Sequence, residues 1–337
     1  MERREIRIAL PSKGVLQKKS IEFLADCGMK VYRPNARQYE ATIPSLPRVK
    51  VMFQRPGDIV VGVREGSMDF GISGWDLIAE KSFGSDAILT LHDALGYGPC
   101  SLNLAVPNAA LAHNMADLAT WASDLAKSNK PLRIASKFPN ITRAFLDQHG
   151  ISNYTLVNVE GTLEIAPAIG FADLIADLVS SGITLRDNHL RPLEDGQILA
   201  SQACLIANRQ NLKQRPEVLD VARYMLEYIE AYQRANNSYQ VTANMRGDSP
   251  EAIAASMFEK PHIRGLQGPT VSKVVAAPHL QRTNGWYAVN IIVQKHDLFQ
   301  AIRELREIGG SGVIVTPCTY IFEEEPARYR AMVRALE

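Results

Sequence analysis

Residues 49–80 read VKVMFQRPGDIVVGVREGSMDFGISGWDLIAE. The first five residues alternate as a strand does. PGDIVVGVREG places proline where a helix starts and glycine where one stops. MDFGISGWDLIAE then gives a second strand, a glycine turn and a second helix. Strands alternating with helices predict a parallel or mixed α/β sheet.

The same rhythm extends both ways. Upstream, IRIAL (6–10) reads as a strand, PSKG as a turn, and the next residues to about Gly28 as a helix with Leu16, Ile21, Phe23 and Leu24 on its apolar side. After about residue 100 the pattern restarts. LNLAV (102–106) is a strand, 115–126 an amphipathic helix, LRIAS (132–136) a strand, NITRAFLDQHG a helix and YTLVNVEG a strand. Two lobes of similar build, with a cleft between them, are the simplest outcome. Residues 216–235 form the clearest helix, with Pro216 near its start. Beyond it, YQVTANMRG, SPEAIAASMFE, GWYAVNIIVQ, HDLFQAIRELREIGG and SGVIVTPCTYIF read as a small α+β module of order βα-ββα-β. The tail EEEPARYRAMVRALE reads as an extra amphipathic helix at a subunit contact.

Composition narrows the function. In 337 residues, 46% are hydrophobic, enough for real cores, and the formal net charge is only +1. That excludes a global basic field, so no nucleic-acid partner is expected. Four dispersed cysteines without a CxxC pair argue against a zinc site or a disulfide framework and fit a reducing compartment. A charged N-terminus with no apolar signal core, and no membrane-length run, predicts a cytoplasmic protein with no membrane partner. The scattered histidines form no HExxH, and no Ser-His-Asp or Cys-His set stands out. An enzyme built from these residues would work by positioning and electrostatics.

Several turns carry candidate chemistry. In ADLIADLVSSGITL (172–185) an apolar run holds Asp173 and Asp177 and breaks into Ser180, Ser181, Gly182, Ile183 and Thr184. Converging N–H groups and hydroxyls there suit a phosphate, and upstream carboxylates suit a ribose or a hydrated Mg2+. A serine cap after a surface-edged strand is the plainer alternative. GISGWD (71–76) is either a ligand-edge turn or a simple strand-to-helix connection with an acidic helix start. Lys13 in LPSKG and Arg55 in QRPGD are phosphate-binding cations or solvated surface charges. GYGPC (96–100) is a hinge or a tight turn between lobes. GLQGPTVSKV (265–274) is a small-ligand loop or a loop-to-strand transition.

In combination these pieces are specific. IRIALPSKG, QRPGDIVVGVREGSMDFGISGWDLI, GYGPCSLNLAVP and VEGTLEIAPAIGFADLIADLVSSGITLRDNHL resemble, in order and spacing, the ATP phosphoribosyltransferase family, which catalyses the first step of histidine biosynthesis. The likeness covers most of residues 6–230. GLQGPTVSKV, GWYAVNIIV and ELREIGGSGVIVTP extend it into the regulatory module of the family's long form.

The resemblance implies a two-lobed, periplasmic-binding-protein-like catalytic region and a C-terminal ferredoxin-like (ACT-like) regulatory domain. The corresponding boundaries are 1–98 plus 192–235 for lobe I, 99–191 for lobe II and 238–337 for the regulatory domain. Phosphoribosyl would pass from phosphoribosyl pyrophosphate to N1 of ATP, with Mg2+ as cofactor, histidine as feedback inhibitor, and a hexamer built from dimers. Ser180, Ser181, Gly182, Ile183 and Thr184 would cradle the 5-phosphate. Asp173 and Asp177 would face the ribose or the metal, with Glu164 nearby. Lys13, Arg55, Ser73, Gly74 and Asp76 would line the side for ATP and pyrophosphate, and Leu266, Thr270 and Ser272 would belong to the histidine site. One position departs from the pattern: the family usually carries arginine after KG, and here Val15 stands there. Arg3, Arg4 and Lys18 are the nearby cations that would compensate. The alternatives are a catalytically weak regulatory paralogue or a non-catalytic two-lobed binding protein.

Overall fold

A computed structural model describes residues 5–35, 37–82, 84–159, 162–275 and 285–337. Arg3 and Arg4 lie outside the described residues. The chain divides into two units, one of residues 1–223 with 327–337 and one of residues 224–326.

In the first unit, β1 (Ile6–Pro11), α1 (Gly14–Asp26), β2 (Glu40–Thr42), β3 (Val49–Gln54), α2 (Pro56–Arg64), β4 (Phe70–Gly74), α3 (Trp75–Lys81) and β5 (Ile88–His92) build lobe I. Lobe II follows with β6 (Cys100–Pro107), α4 (Met115–Lys127), β7 (Leu132–Ser136), α5 (Pro139–Gln148), β8 (Tyr154–Asn158), β9 (Leu174–Val179), α6 (Ile183–Asp187) and β10 (Leu190–Ser201). The chain returns to lobe I only at β11 (Ala203–Asn208) and α7 (Arg209–Gln214), not at the expected 192, because β10 pairs with β6, and the boundary between the two units falls inside α8 (Pro216–Asn236).

The lobe I sheet has the order β2-β3-β1-β4-β11-β5, with β1 parallel to β3 and β4. Lobe II has the order β10-β6-β9-β7-β8, with β7 parallel to β8 and β9. Parallel pairing needs a crossover, and the amphipathic helices supply it. α2 buries Ile59, Val60 and Val63 in a core with Ala9, Ile78 and Ile206. Each such aliphatic side chain contributes roughly 1.5–3 kcal/mol by leaving water. α4 and α5 cover the other sheet through Leu118, Ala122 and Leu146.

Two crossovers join the lobes, residues 93–99 between β5 and β6 and Gln202 between β10 and β11. The first bonds to the residue that follows the second, Leu95 N–H to the Ala203 carbonyl and Ala203 N–H to that of Tyr97, both at 3.0 Å. GYGPC therefore sits on an interlobe crossover.

The second unit holds β12 (Ser238–Gly247), α9 (Pro250–Phe258), β13 (Thr270–Lys273), β14 (Gly285–Gln294), α10 (Leu298–Glu307) and β15 (Ser311–Pro317). Its order is the expected βαββαβ, in an antiparallel sheet β13-β14-β12-β15. Ser249 caps α9 by accepting from Ala252 N–H. The strand read through SGVIVTPCTYIF stops at Pro317.

The tail differs from expectation. α11 (Ala327–Leu336) belongs to the first unit, not to the module of residues 238–337, and packs against β5 and α7 of its own chain. Arg328 pairs with Asp93 at 2.7 Å, and Arg223 lies over the Tyr329 ring.

Candidate active site at the carboxyl edges of the two sheets

In lobe II, β7, β8 and β9 end at one edge, where ligands of open α/β sheets collect. β9 delivers Asp177 and, beyond Val179, the exposed Ser180, Ser181, Ile183 and Thr184. Gly182 takes φ +70°, a left-handed conformation that glycine adopts without a Cβ penalty, and α6 starts immediately after it. The first N–H groups of a helix have no intrahelical acceptor. Ser181 Oγ accepts only a long 3.5 Å contact from Ile183 N–H.

Glu164 lies in a single 3-10 turn, Leu163–Ile165, anchored by buried Leu163. Burial pushes the Asp177 carboxyl above its ordinary value, the Glu164 charge adds to this, and Lys137 offsets part of it. In the parallel pairing of β7 with β9, Ser136 lies beside Ala176, so Lys137 and Asp177 follow side by side at this edge, and the turn that carries Glu164 packs against β9. Leu178 N–H donates to Asp177 Oδ1 at 2.8 Å and fixes that carboxyl.

Asp173 does not join them. It precedes β9 and lies about 13 Å along the strand from Asp177, at about 3.3 Å per residue. Its carboxylate takes a two-pronged contact from Arg133, Nη2 to Oδ1 at 2.7 Å and Nε to Oδ2 at 3.3 Å. Arg133 N–H donates to it as well, at 2.8 Å. The expected ribose or metal role is replaced by that of a clip between β7 and β9. Asp173→Ala should cost about 1 kcal/mol, because the pair is partly solvated. Chemical denaturation checks this, and kcat and KM of the folded variant should stay within about twofold of the parent.

In lobe I, β1, β3 and β4 end at one edge and place Lys13, Arg55 and Gly74 there. Lys13 and Arg55 are exposed, and each precedes its helix without a side-chain cap bond. Val15 is exposed in the first turn of α1. Ser73 and Asp76, expected to line this side, face inward. Ser73 is fully buried, and its hydroxyl donates to the Pro56 carbonyl at 3.1 Å. Asp76 is buried, accepts from Ser201 Oγ at 2.5 Å, and its own N–H donates back to that oxygen at 3.0 Å. Burial raises its carboxyl above the ordinary range. A Cβ on Gly74 would stand 2.3 Å from Asp76 Oδ1, so the glycine makes room for this carboxylate.

Sequence reasoning missed Lys137. The signal was available, since it directly follows β7 at the carboxyl edge of a parallel strand. Among the described residues no group of three or more His, Cys, Asp or Glu side chains is placed to hold a metal ion. Within the second unit, Thr270 and Ser272 are exposed on edge strand β13, and Leu266 is exposed in the loop before it. Thr270 pairs with Asn290, whose side chain meets Thr242 Oγ1 at 2.5 Å. No described helix is long and apolar enough to cross a membrane, and all four cysteines are free.

Comparison with known proteins shows the family. A family model described as ATP phosphoribosyltransferase matches residues 55–229, and one described as HisG, C-terminal domain, matches residues 235–320. The chain is 41% identical to "ATP phosphoribosyltransferase 2, chloroplastic" of Arabidopsis thaliana, over 99% of this chain and 81% of that one. It is 33% identical to the ATP phosphoribosyltransferase of Bradyrhizobium diazoefficiens, over 94% of each. Among solved structures, the ATP phosphoribosyl transferase (HisG:HisZ) complex of Thermotoga maritima aligns with TM-score 0.52 at 23% identity, over 67% of this chain and 98% of that one.

Proposed function

The chain belongs to the ATP phosphoribosyltransferase family, a pentosyltransferase family of histidine biosynthesis, and from that premise we propose how its residues divide the reaction. The observation that carries the proposal is the shared edge at which Lys137 and Asp177 end adjacent parallel strands, next to the turn of Glu164 and directly before the Ser180–Thr184 turn. The turn holds the 5-phosphate of phosphoribosyl pyrophosphate through N–H groups and the hydroxyls of Ser180, Ser181 and Thr184. N1 of the ATP adenine forms a bond to ribose C1 as the bond from C1 to the pyrophosphate oxygen breaks, and that electron pair leaves with pyrophosphate.

N1 is a weak nucleophile, so positive charge develops on the sugar before the new bond completes. The carboxylates of Asp177 and Glu164 stabilise that charge. Lys137, Lys13 and Arg55 meet the phosphates, and the backbone at Gly74 borders the ATP side. Asp177 and Glu164 also fit Mg2+, which takes one or two protein carboxylates and completes its shell with water and substrate phosphates. When bound, it would neutralise pyrophosphate charge. Inhibitory histidine is assigned to Leu266, Thr270 and Ser272, the assembly to a hexamer of dimers, and the compartment to the cytoplasm, in keeping with four free cysteines.

Pyrophosphate release from purified protein with Mg2+, ATP and phosphoribosyl pyrophosphate, with and without histidine, tests the whole reading. ATP-dependent release suppressed by histidine is expected. Absence of release from folded protein that still binds the sugar donor would overturn catalysis and leave a regulatory paralogue. Release indifferent to histidine would overturn the regulatory assignment alone.

A further inference from the structure

α3 carries two buried carboxylates one helical turn apart, Asp76 and Glu80. Residues four apart share a helix face. Both reach across to lobe II. Asp76 holds Ser201, the last residue of β10, through the two hydrogen bonds described above. Glu80 accepts from the first turn of α5: Asn140 N–H at 3.1 and 3.0 Å to its two carboxylate oxygens, and Ile141 N–H at 3.1 Å. The Asn140 side-chain amide donates to the Glu80 carbonyl at 3.3 Å. A carboxylate seated on the otherwise unpaired N–H groups of a helix start is a strong, directional contact.

What Glu80 holds matters. α5 begins two residues after Lys137, and the linking turn is tied to the end of β7. Ser136 Oγ accepts from Phe138 N–H at 2.9 Å, and Pro139 opens the helix. The other end of α3 follows directly from Gly74 at the lobe I edge. We propose that α3 is an interlobe clasp in which Glu80 is a positioning residue: by gripping α5 it fixes the lobe II site around Lys137 and Asp177 against the lobe I edge, so that two substrates bound on different lobes meet in line. The clasp rests on the functional reading above for its consequence in catalysis, but not for its existence as a contact. Its effect belongs to alignment, which carries orders of magnitude in a two-substrate reaction. It does not belong to the affinity of either lobe for its own ligand.

The test compares Glu80→Ala and the isosteric Glu80→Gln with the parent as full chains, measuring kcat at saturating ATP and phosphoribosyl pyrophosphate. Calorimetric Kd for each substrate alone and amide exchange at Asn140 and Ile141 complete the set. The expected result for Glu80→Ala is a kcat lower by about tenfold or more, each Kd within about twofold, and faster exchange at the two amides. Glu80→Gln, which keeps one acceptor oxygen, should fall between. A kcat per folded molecule equal to that of the parent, with exchange accelerated, would show a purely structural contact and overturn the proposal. Unchanged exchange would remove the clasp itself. If Glu80→Ala does not fold, Glu80→Gln decides by the same readings. Failure of the parent to turn over would count against the functional reading, while the exchange data would still judge the clasp.

Discussion

Gly182→Val is expected to lower kcat/KM for phosphoribosyl pyrophosphate by about a hundredfold while shifting Tm only slightly. Gly182 takes φ +70°, and an L-residue there costs about 1–2 kcal/mol, more when β-branched. Space is not the obstacle, because the nearest heavy atom to a built Cβ is Val179 Cγ1 at 3.9 Å. The turn is exposed, so it relaxes locally and no core contact is lost. Relaxation rotates the N–H groups of the turn away from the position proposed for the 5-phosphate. Two charge-assisted hydrogen bonds at roughly 1.5 kcal/mol each amount to about 3 kcal/mol, which is the hundredfold. Steady-state pyrophosphate release and a thermal melt read the two effects separately. Kinetic constants within about threefold of the parent would remove the phosphate from this turn.

How much of this was legible in the sequence follows from the range of the interactions involved. The parallel strands and their helices were readable because periodicity is local: VKVMF, LRIAS and IRIAL appear as β3, β7 and β1. β10 and β11 were not read. Pro192 and Gly196 interrupt β10, and its pairing with β6 has two register shifts, so no clean alternation survives. The tail was recognised as an amphipathic helix, but amphipathicity does not say which surface covers the apolar face, and β5 and α7 of the same chain do.

The site shows the same divide. Asp173 and Asp177 have the same strand parity, so the pattern makes them equivalent. Asp173 lies at the opposite end of β9, where Arg133, 40 residues earlier, takes its carboxylate. Ser73 and Asp76 sit in a turn of the right kind, and partners at Pro56 and Ser201 decide that they hold the framework. Nothing in the local pattern distinguishes Glu80 from an ordinary polar residue of a short helix. Its burial against α5 is a contact across 60 residues that no local pattern encodes.

Asp177→Asn should move stability and activity in opposite directions. Burial, reinforced by the Glu164 charge, holds the Asp177 carboxyl above its ordinary value in the folded chain. A carboxyl with a raised folded pKa contributes stability below its unfolded pKa, and that contribution is lost as pH rises through the folded value. At neutral pH the half-buried charge is therefore a net cost to the free protein. Asparagine has the same shape, keeps an oxygen for Leu178 N–H, and carries no charge. The variant should melt at or above the parent's temperature at pH 7. The pH dependence of Tm between the ordinary aspartate range and neutrality should flatten. Catalysis should fall by about a hundredfold, because the proposed assignment has two negative charges facing the developing oxocarbenium ion and one of them is gone. Melting curves from pH 4 to 8 with single-turnover kinetics measure both. A carboxylate kept only for packing would give a variant that loses stability and retains rate. A carboxylate kept for charge gives the reverse, with its desolvation tolerated because the electrostatics act at the transition state.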